Sequence, residues 1–154
     1  MTNKKILILA AICIMTIMGW TAFFADKCYG AEIYGSLTHV EYVRNYDGDT
    51  ITFNIPYMHP IVGRKISIRV NGIDTPEMRG KCEQEKELAR RAKAVVKMAM
   101  MDAKKIVLYD IQRGKYFRIV AGVEVDGFDI AEGLIKAGLA VRYDGGTKYK
   151  DWCK

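Results

Sequence analysis

With 154 residues, half of them hydrophobic and only three prolines, the chain can build one compact domain with a real core but not two separate cores, and that apolar content excludes a disordered chain. The formal charge of +6 favours polyanionic partners such as nucleic acid or anionic lipid headgroups. Residues 1–31 carry Lys4, Lys5, Lys27 and Asp26, so without them the net charge falls to +4.

Lys4 and Lys5 precede an uncharged run from Ile6 to Ala25. A basic end followed by an apolar stretch is an export signature, and the lysines should stay on the cytoplasmic side. The domain is therefore expected outside the cytoplasm, secreted or periplasmic. Residues 1–31 read as a cleaved signal peptide or, because the run of residues 6–25 is long enough to span a bilayer, as a retained membrane anchor. Tyr29 would stand at the minus-three position of a cleavage after Ala31, a poor match to the small residue preferred there. Residues 32–154 form the folded domain.

Within that domain, Leu37 to Arg44 and Thr50 to Ile55 alternate apolar and polar side chains, which predicts two strands joined at the tight acidic turn Asn45-Tyr46-Asp47-Gly48-Asp49. His39 has no histidine neighbour and His59 sits in the Pro56 to Pro60 loop, so neither reads as a metal ligand or catalytic imidazole. A third strand, about Lys65 to Ile73, places Ile68, Val70 and Ile73 inward and leaves Arg69 facing out. It runs into Asp74-Thr75-Pro76-Glu77, which a helix N-cap alone would explain: Asp or Thr caps, proline suits the first turn, and an early glutamate suits the positive end.

A helix is predicted over roughly Cys82 to Asp102. Leu88, Ala92, Val95, Val96 and Ala99 make its apolar face, Lys86, Arg90, Arg91, Lys93 and Lys97 lie largely opposite, and Met98, Met100 and Met101 fill the core near its end. The basic residues suit either a nucleic-acid backbone or plain solvent. Two more strands, Lys105 to Gln112 and Phe117 to Val125, flank Arg113-Gly114. Asp126-Gly127 then turns the chain into a second helix, about Phe128 to Ala137, ended by Gly138. The tail after Tyr143 is too short and glycine-rich for another. Five short strands with two helices fit an α+β, mainly β domain; periodicity alone leaves a Greek-key barrel and other five-stranded arrangements open.

Cys82 and Cys153 are the pair within the folded part, since Cys13 lies in the apolar run and Cys28 near its end. In an oxidising compartment they could join, closing a loop of about 70 residues and stabilising the fold by on the order of 4 kcal/mol in the chain-entropy model. No second cysteine or histidine lies near either one, which argues against zinc.

The stretches Tyr46 to Ile51, Arg69 to Glu77 and Lys115 to Arg118 together supply three acidic groups able to hold a hard cation, two arginines able to grip a phosphate and a glutamate able to act as a base. Asp47-Gly48-Asp49-Thr50, then Arg69 with Asp74-Thr75-Pro76-Glu77, then Lys115-Tyr116-Phe117-Arg118, then Glu132 to Ala140 resemble, in order, the motifs of the thermonuclease (staphylococcal nuclease) family. The resemblance spans about Thr38 to Tyr143. It implies a five-stranded OB-fold-like Greek-key barrel and a calcium-dependent nuclease that cleaves the 5' oxygen-phosphorus bond of DNA or RNA, leaving 3'-phosphate ends.

On that reading Asp49, Asp74 and the Thr75 carbonyl would ligate one divalent cation, with Asp47 one step outside. All-oxygen ligation suits calcium without excluding magnesium or manganese. Glu77 would accept the proton of the attacking water, and Arg69 and Arg118 would hold the phosphate through forked hydrogen bonds. Tyr116 and Tyr143 would touch the terminal phosphate or stack on a base; ordinary surface packing explains them equally well. The domain is expected to act as a monomer. Three departures from the family pattern bear on rate and preference: Phe117 in place of a glycine, a short loop holding Cys82 after Glu77, and the missing third helix. A non-catalytic OB-type nucleic-acid-binding module at the cell envelope is the alternative.

Overall fold

The computed structural model describes residues 33–154. The apolar run of residues 6–25, with Cys13 and Cys28, lies outside the described residues. No described helix is long and apolar enough to cross a membrane.

A six-stranded mixed sheet forms the body. β1 (Glu41–Asn45) pairs antiparallel with β2 (Thr50–Asn54), and β2 with β3 (Ile66–Val70). β3 runs parallel to β6 (Ile119–Val125), which pairs antiparallel with β5 (Ile106–Arg113) and with the short β7 (Phe128–Asp129). A separate two-stranded ribbon joins β4 (Ile73–Asp74) to β8 (Val141–Arg142). Leu37 bridges to Leu108 with backbone hydrogen bonds in both directions, 2.8 and 2.9 Å. The chain just before β1 therefore reaches β5, at the far end of the sheet path.

Period-2 alternation puts Ile51, Phe53, Ile68 and Val70 on the inner side, where Leu108, Ala121 and Val123 complete a solvent-free core. Each fully buried branched or aromatic side chain contributes roughly 1.5–3 kcal/mol. Three helices are described: α1 (Pro60–Gly63), α2 (Glu83–Met101) and α3 (Ile130–Lys136). The first falls where the sequence suggests a loop; His59 caps it, its Nδ1 accepting from Ile61 N at 3.3 Å.

α2 buries Glu85, Ala89, Ala92, Val96 and Met100, steps of four and three that mark one stripe. Of the three methionines read as core, only Met100 is buried. Met98 and Met101 fall outside that stripe and are exposed, as is Val95. α3 starts later than expected because Phe128 still pairs with Val125 on β6, across the turn Asp126-Gly127, where both residues adopt positive φ. Asp129 then caps the helix, its Oδ1 accepting from Glu132 N at 2.8 Å.

The third strand also differs from expectation. It ends at Val70, turns through Asn71-Gly72 with Gly72 at φ +76°, and restarts as β4. That break lets Ile73 and Asp74 leave the main sheet and pair with Arg142 and Val141. Within residues 144–154 there is no helix. Instead Cys153 is disulfide-bonded to Cys82, the N-cap of α2, with their Cα atoms 5.9 Å apart.

Candidate active site

The acidic loop between β1 and β2 is built by its own polar groups. Asp47 Oδ1 accepts from Asp49 N at 3.1 Å, closing a small side-chain turn, while Asn45 Nδ2 donates to Asp47 O at 2.8 Å and to Lys93 O on α2 at 3.0 Å. Gly48 lies flat on the helix: a Cβ there would stand 2.8 Å from Ala92 Cβ and 3.0 Å from Thr75 Cγ2. The Asp-Gly-Asp spelling thus has a packing cause. Both aspartates need the sharp turn, and the residue between them must have no side chain.

Asp49 is buried at the centre. Its Oδ1 accepts from Arg69 NH1 at 2.6 Å and Thr50 Oγ1 at 3.1 Å; its Oδ2 accepts from Thr75 Oγ1 at 2.9 Å and Thr75 N at 3.2 Å. Burial pushes its carboxyl up to about 6; the Arg69 charge and the two Thr75 donors oppose the rise, and Asp47 adds to it. Arg69 was expected to face outward. It does lie on the side of β3 opposite the buried Ile68 and Val70, but its side chain there is 83% covered and bridges the acidic groups, with NH2 donating to Ile73 O at 3.2 Å and standing 3.5 Å from Asp74 Oδ1. The outward face of β3 is a solvent face only in sequence; in space β4 and the acidic loop fold over it.

Asp74 is equally buried. Its Oδ1 is sealed from solvent and takes no well-directed hydrogen bond, although Lys148 Nζ lies 2.8 Å away. A solvent-free carboxylate oxygen with charge beside it but no aligned donor, next to Asp49 and Thr75, is an all-oxygen donor set that fits a hard divalent cation.

Glu77 is exposed, and its Oε1 meets Lys148 Nζ at 2.6 Å. Burial alone would lower the Lys148 pKa, but the Asp74 carboxylate beside it and the hydrogen bond to Glu77 outweigh it and hold the ammonium above its usual range. Arg118 is exposed, and among the described residues its guanidinium has no hydrogen bond or ion pair. Register places it: Arg69 is aligned with Val120 across the parallel β3–β6 pair, so Arg118, two residues before Val120, projects on the same face as Arg69.

Just before Arg118, the single 3-10 turn Lys115–Phe117 holds Tyr116 and Phe117 at φ +58° and +56°, 94% and 86% exposed. The Phe117 ring has the Arg113 guanidinium 5.8 Å away, and Arg113 NH1 donates to the Phe117 carbonyl at 3.0 Å. Tyr143 is only half-buried; its hydroxyl donates to Gly146 O at 2.8 Å and its N–H to Gly72 O at 2.9 Å. Both bonds help to hold the tail.

Two site residues were missed by sequence reasoning. Glu85 is buried, its Oε1 accepting from Glu77 N at 3.3 Å and its Oε2 from Lys81 N at 2.8 Å, so it shapes the loop that carries Glu77. A signal was present: Glu85 stands three residues after the N-cap, the capping-box position. Lys148 is the other, and the spelling of the tail gives no sign of it.

A family model described as "Staphylococcal nuclease homologue" matches residues 67–152. That range contains Arg69, Asp74, Thr75, Glu77, Arg118 and Lys148; Asp47 and Asp49 precede it. Over 124 residues the chain is 34% identical to "Endonuclease YncB" of Bacillus subtilis (strain 168), an alignment covering 75% of this chain and 54% of that protein. The chain therefore spans about half the length of the curated relative it matches.

Proposed function

The chain belongs to the staphylococcal nuclease homologue family, and on that premise we propose that it is an exported nuclease that hydrolyses phosphodiester bonds of DNA, and of RNA, with calcium and leaves 3'-phosphate ends. The observation that carries this reading is Arg69 joined to both buried aspartates, Asp49 and Asp74, with Arg118 exposed on the same sheet face.

Asp49, Asp74 and the Thr75 carbonyl would hold the cation, and Asp47 would support them by fixing the Asp49 backbone. When bound, the cation supplies positive charge to the non-bridging oxygens of the scissile phosphate. Thr75 clamps Asp49 Oδ2 through two donors and so orients that carboxylate before any substrate arrives. Arg69 keeps one amino group on Asp49 and turns the other toward Asp74; held this rigidly, its guanidinium meets the phosphate with little further ordering. Arg118 reaches the same phosphate from just ahead of β6 and stabilises the extra negative charge of the transition state. Glu77, exposed beside them, takes the proton from the attacking water once Lys148 has moved off it. Tyr116 offers its ring to a nucleobase or its hydroxyl to the phosphate.

Two larger readings go with this one. The Leu37–Leu108 bridge between the two ends of the sheet path supports a five-stranded OB-type barrel. Residues 1–31 are proposed as the export segment or anchor of a monomeric domain acting outside the cytoplasm, and the Cys82–Cys153 bond is in keeping with an oxidising compartment.

The purified protein is to be incubated with denatured DNA in calcium or in chelator. Calcium-dependent degradation to 3'-phosphate ends, lost in Glu77→Gln and in Arg118→Ala, is the expected result. Binding without cleavage would favour the non-catalytic nucleic-acid-binding module. The engagement of Glu77 by Lys148 is the observation on that side.

A further inference from the structure

Lys148 is used by none of the chemistry above, yet its ammonium stands 2.8 Å from Asp74 Oδ1 and 2.6 Å from Glu77 Oε1. One cation thus joins a proposed metal ligand to the proposed base. Its backbone is tied on both sides. Before it, Tyr143 O–H and Asp144 Oδ1 both bond to Gly146, at 2.8 and 2.9 Å. After it, Tyr149 O–H donates to Arg142 O at 2.8 Å, Trp152 is buried, and Cys153 is bonded to Cys82. Cys82 belongs to the same short loop as Glu77, so the bond fastens the tail beside the residues that Lys148 touches.

We infer that Lys148 is an internal counter-cation of the site, a residue that competes with a divalent ion for Asp74 and so sets the affinity for metal. The inference rests on the reading of Asp49, Asp74 and Thr75 as metal ligands. Arg69 reaches Asp49 and Asp74 but leaves Glu77 without a counter-charge. Lys148 supplies the missing charge. An ammonium offers three donors and no lone pair, so it cannot itself ligate a metal. Asp74 Oδ1 already faces Arg69 NH2 at 3.5 Å and Lys148 Nζ at 2.8 Å, so a divalent ion arriving there meets the ammonium's repulsion at close range and competes with it for the oxygen. The Lys148 stem is long enough to swing into solvent with the strap in place, whereas opening the disulfide would free the strap as well.

The test is calorimetric titration of calcium chloride into the full-length, metal-free protein, compared with Lys148→Met, Lys148→Arg and the Cys82→Ser/Cys153→Ser pair. Lys148→Met keeps the apolar stem and should tighten the calcium Kd by about tenfold. Lys148→Arg keeps the charge and should stay within about twofold of the parent, while the double serine variant should fall between. Calcium bound by Lys148→Met no more tightly than by the parent overturns the inference and leaves the metal site standing. Absence of calcium uptake by parent and Lys148→Met alike overturns both.

Discussion

The two arginines of the site live in opposite environments. Arg69 is packed into a sealed cluster in which Asp49, Asp74 and the Ile73 carbonyl face its guanidinium, Thr75 holds Asp49 in place and α2 closes the acidic loop from behind. Arg118 stands at the end of an exposed turn held in left-handed backbone, with its guanidinium in solvent. The first region is ordered before anything binds; the second has its contacts still to make. This division suits the proposed nuclease site, which would hold a small ion tightly and admit a long, variable polymer.

Four substitutions and one titration would break or sharpen that contrast. Arg69→Ala should have the largest effect, since it leaves two buried carboxylates without their shared partner: a loss of about 3 kcal/mol in denaturant unfolding, together with activity. Arg118→Ala should lower kcat by about a hundredfold to a thousandfold with a melting temperature unchanged within about 1 °C, because nothing in the fold leans on it. Equal loss of stability in the two alanine variants would erase the distinction. Gly48→Ala should cost about 1–3 kcal/mol by pushing the acidic loop off Ala92 and Thr75, and should weaken calcium binding in proportion.

A smaller effect is expected across pH in chelator. The folded Asp49 carboxyl sits at about 6, above its unfolded value near 3.8, so the folded state binds the extra proton between those values. The folded state therefore gains stability as pH falls through that window, by on the order of 1 kcal/mol between pH 7 and pH 5. Asp49→Asn lacks this gain, and the difference in melting temperature between the two proteins across that range measures it. Smallest of all, Phe117→Gly should relieve left-handed strain and raise stability by about 0.5 kcal/mol, the backbone relief being partly offset by glycine's greater unfolded-state entropy.

Much of this architecture was legible before any coordinates. The acidic hairpin, the strands around Ile51, Ile68 and Val123, the two-residue turn at Asp126-Gly127 and the long helix after Cys82 are written in short-range periodicity and turn chemistry, which the backbone reads locally. Misreadings arose where a local pattern admits two spatial outcomes. Phe128 fits a helix start but pairs as β7, and Met98 and Met101 look like core but fall outside the buried stripe of α2. Asp49, Arg69 and Asp74 were named from their chemistry and order. That β4 and the acidic loop fold over the outer face of β3 and join Arg69 to the two aspartates was not.

The one-dimensional pattern determined which residues carry charge, which lie on a common side of a strand and where the chain must bend, because those properties depend on neighbours a few positions away. Tertiary packing alone decided what each face meets. β4 leaves the main sheet to pair with β8, which covers Arg69, and a bond from Cys153 to Cys82 carries Lys148 onto Glu77, 71 residues away in sequence. Contacts over such separations follow from how the core closes, and no local periodicity encodes them.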